Sequence, residues 1–100
     1  MDQFPRSVLA GWAADHREVI ALLVFGSRAR GNARINSDLD LALELDGSWE
    51  TPETVLYANG ERWKKELTEL TGLLVKDLHL ATEHYVTRDA VVEVFRRSAR

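Results

Sequence analysis

The chain has 100 residues, 45% hydrophobic and 29% charged, with a formal net charge of −3. That length supports one domain with a single modest core, and the mildly acidic balance argues against a surface that coats nucleic acid. The sequence has no cysteine, which excludes disulfides, thiolate zinc sites and a cysteine nucleophile. The longest apolar run, Val19 to Phe25, is too short to span a bilayer, and Met1 to Arg6 lacks the apolar core of a secretion signal. The expected location is therefore the cytoplasm.

Phe4, Val8, Leu9 and Trp12 recur at helical spacing, so a helix is predicted from Pro5 to Asp15. Val19 to Phe25 reads as a strand covered on both faces, ended by Gly26. Ser27 to Gly31 reads as a short helix capped by Ser27, and Asn32 to Ser37 as a loop. From Asp38 to Leu45, leucines at 39, 41, 43 and 45 alternate with Asp38, Asp40, Ala42 and Glu44. This predicts a half-buried strand whose second face is acidic.

Asp46-Gly47 marks a turn. Thr51 and Pro52 start a helix with Leu56, Asn59, Trp63, Leu67 and Leu70 on one face, stopped by Thr71-Gly72 and expected to split at Gly60. Leu73 to Leu80 is predicted as a third strand, and Thr87 as the cap of a last helix presenting Val91, Val94, Phe95 and Ser98. The order implies an α/β fold, a small mixed sheet with helices packed on it, in one domain spanning residues 1–100. Trp12 and Trp63 are expected in the core, Trp49 as a local plug in its loop, and His79 half-buried with a local hydrogen bond.

The chemistry concentrates in two motifs. Gly26 at a strand end lets backbone approach a ligand closely, and Ser27 with the N–H groups after it suits an anion. No Gly-Lys-Ser/Thr follows, so this is not a P-loop. Asp38 and Asp40 point the same way from an extended segment, where two carboxylates repel unless a cation lies between them. Magnesium, which takes oxygen ligands from carboxylates and substrate phosphates, is the natural compensator. Asp77 is a further aspartate in a β-prone run. Each feature alone also reads as ordinary structure: a capped turn, a solvated acidic edge, a surface ion pair. Together they reinforce one another.

Gly26-Ser27, ten residues, then Asp38-Leu39-Asp40 resembles the signature of the DNA polymerase β-type nucleotidyltransferases. The string GSRARGNARINSDLDLAL is similar to the minimal nucleotidyltransferases of bacteria and archaea. The resemblance implies that Gly26 and Ser27 hold the β- and γ-phosphates of a nucleoside triphosphate, most simply ATP. Arg28 or Arg30 would offset its charge. Asp38 and Asp40 would ligate two Mg2+ ions, with Mn2+ as a substitute. Asp77 would be the third carboxylate, helping one metal and taking the proton of the attacking hydroxyl.

Larger members of that superfamily carry a second domain for the acceptor, and none is expected here. A partner chain or a second copy would then supply the acceptor pocket. The resemblance points to a small helical HEPN-type toxin, with this chain as the antitoxin that transfers AMP to it. A non-catalytic antitoxin that acts by binding, and an enzyme modifying a small molecule such as an aminoglycoside, are the rival readings.

Overall fold

The computed structural model describes residues 3–83 and 90–98. Helix α1 (Arg6–Ala14) leads into strand β1 (Val19–Phe25) and a single-turn helix, α2 (Gly26–Arg30). Strand β2 (Asp40–Leu45), the long helix α3 (Pro52–Thr71), and strands β3 (Leu78–Leu80) and β4 (Val92–Arg96) follow. The strands form one sheet in the order β3-β2-β1-β4. β1 is antiparallel to both β2 and β4, whereas β2 and β3 are parallel. The sheet is mixed, as expected. Among the described residues no helix is long and apolar enough to cross a membrane.

The leucine alternation in β2 works as its period requires. Leu39, Leu41, Leu43 and Leu45 are buried with Leu22 and Val24 of β1, under Leu9 and Trp12 of α1 and Trp63 and Leu67 of α3. On the other face Phe25 and Ala42 are buried separately, with Leu23 against them. Trp12 and Trp63 meet edge to face at 5.6 Å, and His16 stacks on Trp12 at 4.1 Å. Glu66 accepts from Trp12 Nε1 at 2.9 Å and lies 3.2 Å from His16 Nε2, which ties α1 to α3.

Thr51 caps α3, its hydroxyl accepting from Thr54 N–H at 3.2 Å, and Gly72 ends the helix in the left-handed conformation. The expected split at Gly60 is absent: α3 runs unbroken through it. Leu70, assigned to the buried face, is 55% exposed, and Val55 is buried instead. Trp49 is no plug, being 96% exposed. Ser27 is not the cap, because the helix starts one residue earlier, at Gly26, with Phe25 in the cap position.

Two larger corrections concern strands. The predicted strand from Leu73 enters the ladder only at Leu78. The end of α3 captures the earlier amides: Thr71 Oγ1 accepts from Leu73 N–H at 3.1 Å, and Thr68 Oγ1 from Val75 N–H at 3.0 Å. The predicted last helix is corrected as well: Val92–Arg96 is strand β4. Thr87, its proposed cap, lies outside the described residues.

Candidate active site

Chain direction collects the motifs. β1 ends, and β2 and β3 begin, at the same end of the sheet, because Phe25 lies opposite Asp40 and Leu41 beside Leu78. Gly26 and Ser27 therefore sit across from Asp40, with Asp38 two residues upstream in the segment entering β2.

Gly26 is required on two counts. Its φ is +75°, a region that costs side-chain-bearing residues energy. A Cβ placed there would overlap Asp40 Oδ2 and stand 3.0 Å from Asp40 Cγ. The absent side chain is the space that the Asp40 carboxylate fills. Gly31, at φ +79°, ends α2.

Between α2 and β2 the loop is held by side chains. Arg28 is buried, and its guanidinium donates to main-chain carbonyls: Nη1 to Gln3 at 2.8 Å, and Nη2 and Nε to Ser37 at 2.8 and 3.2 Å. Longer contacts reach the carbonyls of Arg34 and Ile35 at 3.4 and 3.5 Å. Gln3 in turn accepts from Ala33 N–H at 2.9 Å and donates to Ala33 C=O at 3.3 Å. Ser37 Oγ accepts from Arg34 N–H at 2.9 Å. The expected phosphate-facing role of Arg28 is thus corrected: the fold itself uses the guanidinium. Arg30 is exposed at the end of α2.

Asp38 and Asp40 are half-buried, and Asp77 is exposed just before β3. Leu39 N–H donates to Leu74 C=O at 2.9 Å. A regular parallel ladder continued from that bond would set Asp77 beside Leu41, yet Leu41 pairs with Leu78. The segment carries one extra residue, and Asp77 sits within it. Asp77 lines a groove of about 510 Å³ with Leu56, Tyr57, Glu61 and Lys64 of α3. Among the described residues, no three His, Asp or Glu side chains are grouped as they would be around a metal ion. The structure thus brings Gly26, Ser27, Asp38 and Asp40 to one end of the sheet, whereas Asp77, just before β3, lines the groove against α3 and is not grouped with them as a third carboxylate.

His79, on β3, is level with Ala42. Its ring meets Phe25 edge to face at 5.5 Å, and its Nδ1 lies 3.5 Å from Glu83 Oε1. It is half-buried with a local partner, as expected. A larger hollow of about 590 Å³, lined by Arg17, Asp46, Trp49 and Arg97, lies at the other end of the sheet. Gln3 and Ser37 belong to the support of the site and were not singled out in the sequence. Ser37 has a signal, since it adjoins the Asp38-Leu39-Asp40 motif; Gln3 has none.

The family model described as Polymerase beta, Nucleotidyltransferase matches residues 9–93, which include both motifs and Asp77. No curated protein matches the chain.

Proposed function

The chain belongs to the polymerase β nucleotidyltransferase family, and from that premise we propose that it transfers AMP from ATP to a hydroxyl of a partner protein. The observation that carries this reading is the seating of the Asp40 carboxylate in the space left by Gly26, beside Ser27. An anion-binding turn and a carboxylate pair share one sheet end. The donor set is oxygen only, which suits magnesium.

In this reading Asp38 and Asp40 would hold the metal, and Ser27 with the adjoining N–H groups would bind the terminal phosphates. When bound, the metal polarises the phosphoryl oxygens and offsets charge on the leaving pyrophosphate. Asp77 serves the acceptor side. The acceptor hydroxyl gives up its proton to a carboxylate as its oxygen attacks the α-phosphate and pyrophosphate leaves, and the family resemblance assigns that carboxylate to Asp77. Holding that hydroxyl in line supplies much of the rate. The acceptor belongs to a small helical HEPN-type toxin, and the chain acts as its antitoxin. The support for this partner is the likeness of GSRARGNARINSDLDLAL to minimal nucleotidyltransferases.

The test is incubation of the chain with its neighbouring gene product, Mg2+ and each labelled nucleotide, followed by mass measurement of both proteins. The expected result is a partner heavier by AMP, formed from ATP alone. Asp40→Asn should abolish transfer while the fold persists. Asp77→Asn should slow transfer while leaving binding of Mn2+ with nucleotide intact. Ser27→Ala should weaken nucleotide use and leave partner binding unchanged. A partner that is bound and neutralised without gaining mass would overturn the transfer reading. Rapid modification of free small molecules by the chain alone would overturn the partner reading.

A further inference from the structure

We infer that Arg28 is a positioning residue, which sets the Ser27 turn and the Asp38–Asp40 carboxylates in register with each other. This inference rests on the reading of the site given above. Its basis is the path of one side chain. Arg28 follows Ser27 directly on α2, and its guanidinium donates twice to the carbonyl of Ser37, which directly precedes Asp38. One buried group therefore links the two halves of the site.

The same guanidinium reaches back to the carbonyl of Gln3 at 2.8 Å. The side chain of Gln3 closes the circuit by clasping both polar groups of Ala33. The loop from Gly31 to Leu39 is thereby held by Arg28, Gln3 and Ser37. A guanidinium is suited to this work because it presents several donors in a fixed plane. A lysine ammonium is a single point charge that cannot serve carbonyls spread along a loop. Groups that support the residues around a metal govern its affinity, and their loss typically costs about 10–100-fold.

The experiment compares the wild-type chain with Arg28→Lys. Mn2+ binding is followed by water-proton relaxation in the presence of a non-hydrolysable ATP analogue. Hydrogen exchange is followed at Ala33, Arg34, Ser37 and Leu39 and in β1 and β2. The expected result is that β1 and β2 keep their protection, the loop amides exchange faster, and Mn2+ affinity falls by about 10–100-fold. Unchanged affinity in folded Arg28→Lys would overturn the inference.

Should Arg28→Lys fail to fold, Gln3→Ala removes the clasp on Ala33 and leaves the guanidinium in place. A smaller fall in Mn2+ affinity is then expected, and unchanged affinity despite faster loop exchange would overturn the inference. A wild-type chain that binds neither Mn2+ nor the analogue would instead refute the reading of the site itself, and the inference with it.

Discussion

Position 26 must be glycine because a turn conformation and a neighbouring carboxylate make the same demand on it. Gly26→Ala should lose about 1–2 kcal/mol from the left-handed backbone alone. It should lose more from displacing Asp40, and Mn2+ affinity should fall with it. Urea denaturation and Mn2+ relaxation measure the two effects separately.

Asp46 offers a pH test away from the site. Its carboxylate accepts from Ser48 Oγ–H at 2.6 Å and Ser48 N–H at 2.9 Å, and these bonds hold its pKa below the ordinary aspartate value. A value depressed on folding means that the stabilisation is fully present above the unfolded pKa, about 3.9. It is lost as pH falls through the lower, folded value. Ser48→Ala removes the hydroxyl donor and leaves the amide. The NMR titration midpoint of the Asp46 carboxyl should therefore rise part of the way back.

At this scale the sequence announced Gly26, Ser27, Asp38 and Asp40, because their spacing and residue types are tied to chemistry. It could not announce the partners of Arg28. A guanidinium donates equally well to phosphate and to main-chain carbonyl, and only the folded loop shows which acceptors are in reach.

Among the elements, β4 shows how a strand can imitate a helix. Leu22 pairs with Phe95 and Leu23 with Glu93, which leaves Val94 as an extra, bulged residue. Of the predicted helical face, the adjacent Val94 and Phe95 both pack against the core, while Val91 and Ser98 are exposed. The bulge also puts Glu93 and Arg96 on one side, where they pair at 2.8 Å. Two adjacent core-facing residues fit a helix and not a regular strand, so the pattern pointed to the wrong element. A bulge on an edge strand also discourages pairing with another sheet.

The long helix gives the opposite lesson. Its cap, first-turn proline and terminal glycine were all legible, because each acts through bonds local in sequence. Gly60 was read as a break, but the packing of Val55, Trp63 and Leu67 on the sheet overrides one weak residue. A Cβ at Gly60 would meet only Leu56 Cδ1, at an ordinary 3.8 Å. Gly60→Ala should therefore stabilise the protein by about 1 kcal/mol, read as a higher urea midpoint with an unchanged slope.

Over the whole molecule, two arginines hold opposite ends of the sheet by the same means. Arg28 gathers carbonyls at the site end. At the other end, Arg97 donates to the carbonyls of Val19, Ala13 and His16, each at 3.0 Å, and so ties the end of β4 to the C-terminus of α1. Its charge is well placed there, since a helix C-terminus carries partial negative charge. Neither tie was legible in the sequence, because Arg97 lies 84 positions from Ala13 and only the β1–β4 pairing brings them together. The distinction between them is functional. Arg97→Met leaves part-buried carbonyls without their donor and should cost about 1–3 kcal/mol. Because that tie lies away from the Ser27 turn and the carboxylates, the affinity for Mn2+ with the ATP analogue should not change in the folded variant. Equal weakening of Mn2+ binding by Arg97→Met and Arg28→Lys would show that both act through global stability. A stability loss confined to thermal or urea unfolding in Arg97→Met, beside an affinity loss in Arg28→Lys, separates an arginine that holds the fold from one that sets the site.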